Sequence, residues 1–143
     1  MLATMMMLAA QAAAPPVAGP AAERPMVVID ERAALRREPP PHGAIGMSTA
    51  YRISDAVAGR TMEFRKRILH RGAGIGVHRI DHDEVYYVLD GTGIVTSGGE
   101  TKALGPGMTA YLFRDATVGI RQTGSAPLTL IISYPLAQPA PAR

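Results

Sequence analysis

The sequence predicts an all-β fold. Glycine and proline supply 15 and 12 of the 143 residues, and turn signals built on them recur at short intervals from residue 42 onward. Between the turns lie short β-type runs, of which EVYYVLD (84–90) is the strongest. The length suits one domain, and 47% apolar with 19% charged residues is an ordinary globular composition.

Taken in order, residues 1–14 are apolar and uncharged, too short a run to span a bilayer. Ala10-Gln11-Ala12 has the small-x-small form of a signal-peptidase site. We expect a signal cut after Ala12 and a periplasmic or secreted protein, with no membrane insertion of the mature chain. If the stretch is instead a mis-annotated extension, the protein stays in the cytoplasm. An Ala/Pro linker completes residues 1–25. MVVID (26–30) reads as an edge strand and ERAALRRE (31–38) as two helical turns, stopped by Pro39-Pro40-Pro41. These form an N-terminal unit, 26–41, ahead of a barrel over 42–136 and a frayed tail, 137–143.

Within the barrel, HGAIGMSTAYRI (42–53) predicts a strand pair or a bent strand, followed by a turn at SDAVAGR. TMEFRKRILH (61–70) alternates, but neither face is clean, which suggests an edge strand or an interface. RGAGIG reads as a turn into His78. After EVYYVLD comes a hairpin, IVTSGGETKAL, whose Ser-Gly-Gly tip suits a tight turn. GPGMTAYLF (105–113), VGIRQTG and the late core strand LTLIISYPL (128–136) complete the set.

The chemistry concentrates in GAGIGVHRIDHDEVYYVLDG (72–91), which holds two of the four histidines. On a strand with a parity-preserving bend, His78, Ile80, Glu84, Tyr86 and Val88 share one face. An imidazole and a carboxylate then point into one space, where such a pair can hold a divalent metal or orient a polar molecule. Tyr86 lies deeper on that face and can orient a ligand or serve as core. Asp81, His82 and Asp83 read either as a solvated turn or as an acid/base group. His42 and His70 have no matching partner and read as surface or structural residues.

Five residues separate Gly72 from His78, five separate His78 from Glu84, and six separate Glu84 from Gly91. This spacing resembles the first motif of the cupins, with Ile80 at the place of the second histidine of its HxH. The resemblance implies an antiparallel jelly-roll β-barrel with a ligand or metal site in its mouth, and commonly a homodimer. The family's second motif, anchored on Gly107, puts Phe113 at its proline, Asp115 at its glycine, Val118 at its histidine and Gln122 at its asparagine. Its frame survives and its metal-binding side chain is gone.

A typical cupin metal site takes three histidines and one glutamate. Here His78 and Glu84 match, Ile80 and Val118 do not, and His82 is the substitute that parity permits. A divalent metal (Zn, Fe, Mn or Ni) held by His78, Glu84 and His82 is one reading, serving an isomerase, epimerase, lyase or dioxygenase. A small sugar or organic acid bound without metal is the leading one, with Ile80, Glu84, Tyr86, Tyr111, Val118 and Gln122 as pocket residues. Metal-free catalysis with His78 as base and Tyr86 as acid is the third. Arg121 is expected on the outward face.

The absence of cysteine excludes disulfides and thiolate chemistry. The net charge of +3 comes mostly from scattered arginines, and the one basic cluster, Arg65-Lys66-Arg67, would alternate faces on a strand. A nucleic-acid footprint is not expected. No phosphate-cradling glycine loop, GxSxG elbow or long amphipathic helix is present.

Overall fold

A computed structural model of the protein describes residues 22–141. The expected signal sequence and its cleavage after Ala12 lie outside the described residues. The strands are β1 (Leu35–Glu38), β2 (Ser48–Tyr51), β3 (Met62–Leu69), β4 (Gly74–Arg79), β5 (Glu84–Asp90), β6 (Thr92–Ser97), β7 (Glu100–Leu104), β8 (Thr109–Leu112), β9 (Thr117–Thr123) and β10 (Leu128–Pro135). They form two antiparallel sheets, ordered β1-β2-β3-β10-β5-β8 and β4-β9-β6-β7. One core joins them, with Leu69, Val88 and Leu130 from the first sheet packing against Ile75, Val95 and Ile120 from the second. This is the jelly-roll barrel. Each such apolar side chain stabilises it by about 1.5–3 kcal/mol. Among the described residues no helix is long and apolar enough to cross a membrane.

β5 and the β6–β7 hairpin, with its turn at Gly98-Gly99, form where the sequence predicts them. The N-terminal unit differs. Met26–Asp30 is not a strand, and only Glu31–Ala34 coils, as a single 3-10 turn capped by Asp30, before Leu35–Glu38 joins β2 in the first sheet. Pairing with β2 outweighs the local helical preference, a tertiary override of propensity. Gly74-Ile75-Gly76 is strand rather than turn. Its glycines serve close approach: a Cβ on Gly76 would stand 1.5 Å from the His42 carbonyl oxygen.

β3 is the second correction. It is not an edge strand, because β2 and β10 flank it on both sides. Its mixed faces have another cause. Glu63, Arg65, Arg67 and Leu69 point inward, while Met62, Phe64 and Lys66 lie on the outer face, Lys66 over the Tyr51 ring. The inner face of a central strand therefore carries three charges, and hydropathy alone misreads it.

Candidate functional site

A cavity of about 200 Å³ opens at the mouth of the barrel. β4 supplies His78, the following bend supplies Ile80, Asp81 and His82, and β5 supplies Glu84 and Tyr86. The shared parity of His78, Ile80, Glu84 and Tyr86 survives the bend, which is why all four face one space. β10 adds Ile132 and Tyr134, and β3 adds Arg65 and Arg67. A larger hollow of about 530 Å³ lies outside the barrel, between residues 24–29 and β3, but its wall has neither histidine nor acid. The smaller cavity is the candidate site because the titratable groups converge there.

The loop after β1 closes one side. Gly76 N–H donates to Pro41 O at 3.3 Å, and His42 stacks on His78 with ring centroids 3.5 Å apart and planes 9° apart. His42 holds φ at 60° and Ala44 at 49°, conformations that side-chain-bearing residues rarely adopt. Desolvation, helped by the neighbouring His78, pulls the His42 imidazole below the usual histidine range. His78 donates through Nδ1–H to the Gly76 carbonyl at 2.8 Å, so Nε2 is the bare nitrogen of the neutral ring.

His82 links solvent to the interior. Its Nδ1 meets Asp81 Oδ1 at 2.7 Å, and its Nε2 lies 3.6 Å from Glu84 Oε2, an ion-pair distance too long for a hydrogen bond. That Nε2 is buried without a hydrogen-bond partner. Its ring stacks on Tyr134 at 4.4 Å, and the two side chains form a wall shared with an outer cleft of about 650 Å³. Glu84 is 7% exposed, and desolvation raises its carboxyl above the usual range against the attraction of His82. Burial, then Glu84, pushes the Tyr86 phenol far up, so Tyr86 stays protonated and is a poor acid. Tyr134 rises chiefly by burial.

Of the residues expected in the pocket, His78, Ile80, His82, Glu84 and Tyr86 come together. Three do not. Tyr111 is exposed on β8 and donates to Asp83 at 2.6 Å on the outside. Val118 is fully buried in the core, across the β4–β9 ladder from His78. Gln122 is buried, accepts from Gly72 N–H and donates to the carbonyls of Thr123, Gly124 and Ala126, so its amide holds two turns and serves no pocket. His42, expected to lack a partner, stacks on the site. His70 contacts Thr49 Oγ1 at 3.0 Å. Arg65, Arg67 and Tyr134 escaped the sequence reading. The inward parity of Arg65 and Arg67 was available as a signal, but only β3's central place gives it meaning.

The donor set does not fit the metal that cupins commonly hold. Among the described residues no three His, Cys, Asp or Glu side chains gather as ligands. By motif spacing Ile80 and Val118 take the places of two imidazoles, and His82, held at Nδ1 by Asp81 and stacked on Tyr134, does not gather with His78 and Glu84 as a ligand set. Two well-placed protein ligands are too few for a tightly held transition metal.

Residues 66–134 match the cupin domain family. No curated protein sequence matches the chain. Among solved structures it is similar to a predicted oxalate decarboxylase from Thermotoga maritima (20% identity, TM-score 0.68, covering 77% of this chain and 99% of that one). It is also similar to an RmlC-like cupin from Shewanella frigidimarina (19%, 0.61, covering 78% and 93%). A third likeness is to the polyketide cyclase RemF from Streptomyces resistomycificus (16%, 0.65, covering 80% and 82%). Identities this low speak for the fold alone. With the jelly-roll topology, the His78–Glu84 spacing and the domain match in agreement, the barrel carries a cupin domain over residues 66–134.

Proposed function

We propose that this protein binds a small polar molecule, a sugar or an organic acid, in the barrel mouth and needs no tightly held metal to do so. One observation carries the reading: His78, His82, Glu84, Tyr86 and Tyr134 meet on a single cavity of about 200 Å³ while apolar Ile80 and Val118 occupy two metal-ligand positions. The bare Nε2 of His78 accepts a hydrogen bond from a ligand hydroxyl, and the Tyr86 phenol, held protonated, has an O–H to donate. Ile132 and Ile80 exclude water from the far wall, which strengthens each polar contact.

The metal-dependent reading, with Zn, Fe, Mn or Ni on His78, Glu84 and His82, has less support, because among the described residues no three such donors gather. Acid/base catalysis without metal is favoured over it by the Asp81–His82–Glu84 line. Asp81 fixes the His82 ring, whose Nε2 faces a carboxyl with raised proton affinity. In that reading His82 and Glu84 replace the His78–Tyr86 pair, because burial holds Tyr86 protonated.

The test is thermal shift followed by calorimetry on the full chain with glycerol, xylose, lactate and malonate. At least one of these is expected to raise the melting midpoint of the wild type and to lose its effect in both His78→Ala and Glu84→Gln. Binding that survives both substitutions would move the site elsewhere.

A further inference from the structure

Arg65 and Arg67 reach the mouth cavity from the same face of β3, while the carboxylates that hydrogen-bond them stand outside it and Glu84, which Arg65 attracts without a hydrogen bond, stands inside. Arg65 donates through Nε to Glu63 at 3.1 Å and pairs through Nη2 with Asp55 at 3.6 Å. Neither acid lines the cavity. Arg67 donates to Ser48 Oγ at 2.7 Å and to Glu38 at 3.1 Å, and Glu38 also takes Arg52 Nη2 at 2.8 Å. One carboxylate thus serves two guanidiniums, and Arg67 is only 5% exposed.

A guanidinium presents five N–H donors in a planar fork, and the bonds to Ser48 and Glu38 engage Arg67 only in part. A buried cation that shares its counter-ion is stabilised by an incoming anion, since taking an under-compensated charge out of water is costly. Glu63 and Asp55 hold the Arg65 fork from behind, so little side-chain freedom remains to be lost on binding.

The chemistry of the wall narrows the anion. Planar forks match the planar, two-oxygen geometry of a carboxylate. Glu84 stands in the same wall and disfavours a dianion such as phosphate. At roughly 30 Å³ per water, the cavity holds about seven waters, or a ligand with about as many non-hydrogen atoms.

We infer that the ligand is a small monocarboxylate, a hydroxy or oxo acid, whose carboxylate is held by Arg65 and Arg67 while its remaining oxygens face His78 and Tyr86. This rests on the reading of the mouth as the ligand site. It makes Arg65 and Arg67 the residues that select an acid over a neutral sugar.

The experiment compares lactate with its neutral near-isostere lactamide by calorimetry on the full chain. Lactate binds the wild type at least tenfold more tightly, and this comparison needs no variant. Arg65→Gln removes the preference, bringing lactate down to the level of lactamide, while Arg65→Lys, which keeps the charge without the fork, restores part of it. Equal binding of lactate and lactamide to the wild type overturns the inference, as does a preference that persists in Arg65→Gln. Glycerol or xylose binding that depends on His78 with no advantage for lactate also sinks it, and leaves the mouth site standing. Lactate binding that needs Arg65 but ignores His78→Ala would instead remove the mouth site as drawn.

Discussion

His42 stacks on His78 only because Gly76, two residues before His78 on β4, has no side chain. The ring centroids are 3.5 Å apart, and the backbone carbonyl of His42 occupies the space a Gly76 Cβ would need. The loop that carries His42 is therefore held against β4 by backbone contact, and one wall of the site depends on it.

Gly76→Ala is accordingly expected to lift that loop, separate the two imidazoles and destabilise the fold by about 3 kcal/mol, the upper range for overpacking. Urea denaturation gives the cost, and the histidine ring signals in NMR report the lost stack. Gly105→Ala is the control, since nothing lies within 4 Å of its added Cβ and its effect should be near zero. Unchanged ring signals in Gly76→Ala would mean the loop is not clamped.

Glu84 carries a pH signature. Burial raises its proton affinity in the folded protein, so its contribution to stability is complete below the unfolded value, near 4.5, and is lost as pH rises through the folded value. Glu84→Gln should therefore stabilise the protein at pH 7–8, by on the order of 1 kcal/mol, with little gain at pH 4. The same variant should bind ligand worse, a local cost of stability for function. Urea midpoints at the two pH values decide it, and a stabilisation that is equal at both removes the argument.

Glu63 behaves in the opposite sense. Its burial alone would push it up, but hydrogen bonds from Arg65, Ser54 and Arg60 outweigh that and hold the carboxyl at about 2. Its stabilisation is present above the unfolded value of 4.5 and is lost as pH falls toward 2. With Glu63 only 3% exposed, Glu63→Gln leaves two guanidiniums short of a partner and should cost on the order of 3 kcal/mol at neutral pH. The difference from wild type should shrink on acidification, as followed by circular dichroism melts.

Metal content separates the readings of the site. Protein purified without a histidine tag should carry no stoichiometric transition metal by elemental analysis. Ile80→His, which adds an imidazole to the cavity wall that already holds His78 and Glu84, should gain one zinc per chain. A wild type that already carries one metal per chain, lost in His78→Ala, would overturn the metal-independent reading.

Much of this was legible in the chain itself. Glycine and proline punctuation announced an all-β fold because turns need those backbones, and β5 announced itself because its inner face is buried and its outer face is not. The His78–Glu84 spacing located the mouth, since a strand's period of two makes parity readable without coordinates. The apolar character of Ile80 and Val118 was likewise readable.

Tertiary contact decided the rest. Whether a charged strand is edge or centre depends on its neighbours, so the inward row of Glu63, Arg65 and Arg67 was misread from hydropathy although its alternation was plain. Tyr111, Val118 and Gln122 sat in the expected frame, yet the barrel's curvature and the turn carbonyls took them to the outer surface, the core and a loop clasp. His42 joined the site because a β4 glycine admits a distant backbone, a contact no local pattern encodes. Sequence determines which side of a strand a residue faces; only the packed barrel determines what stands opposite it.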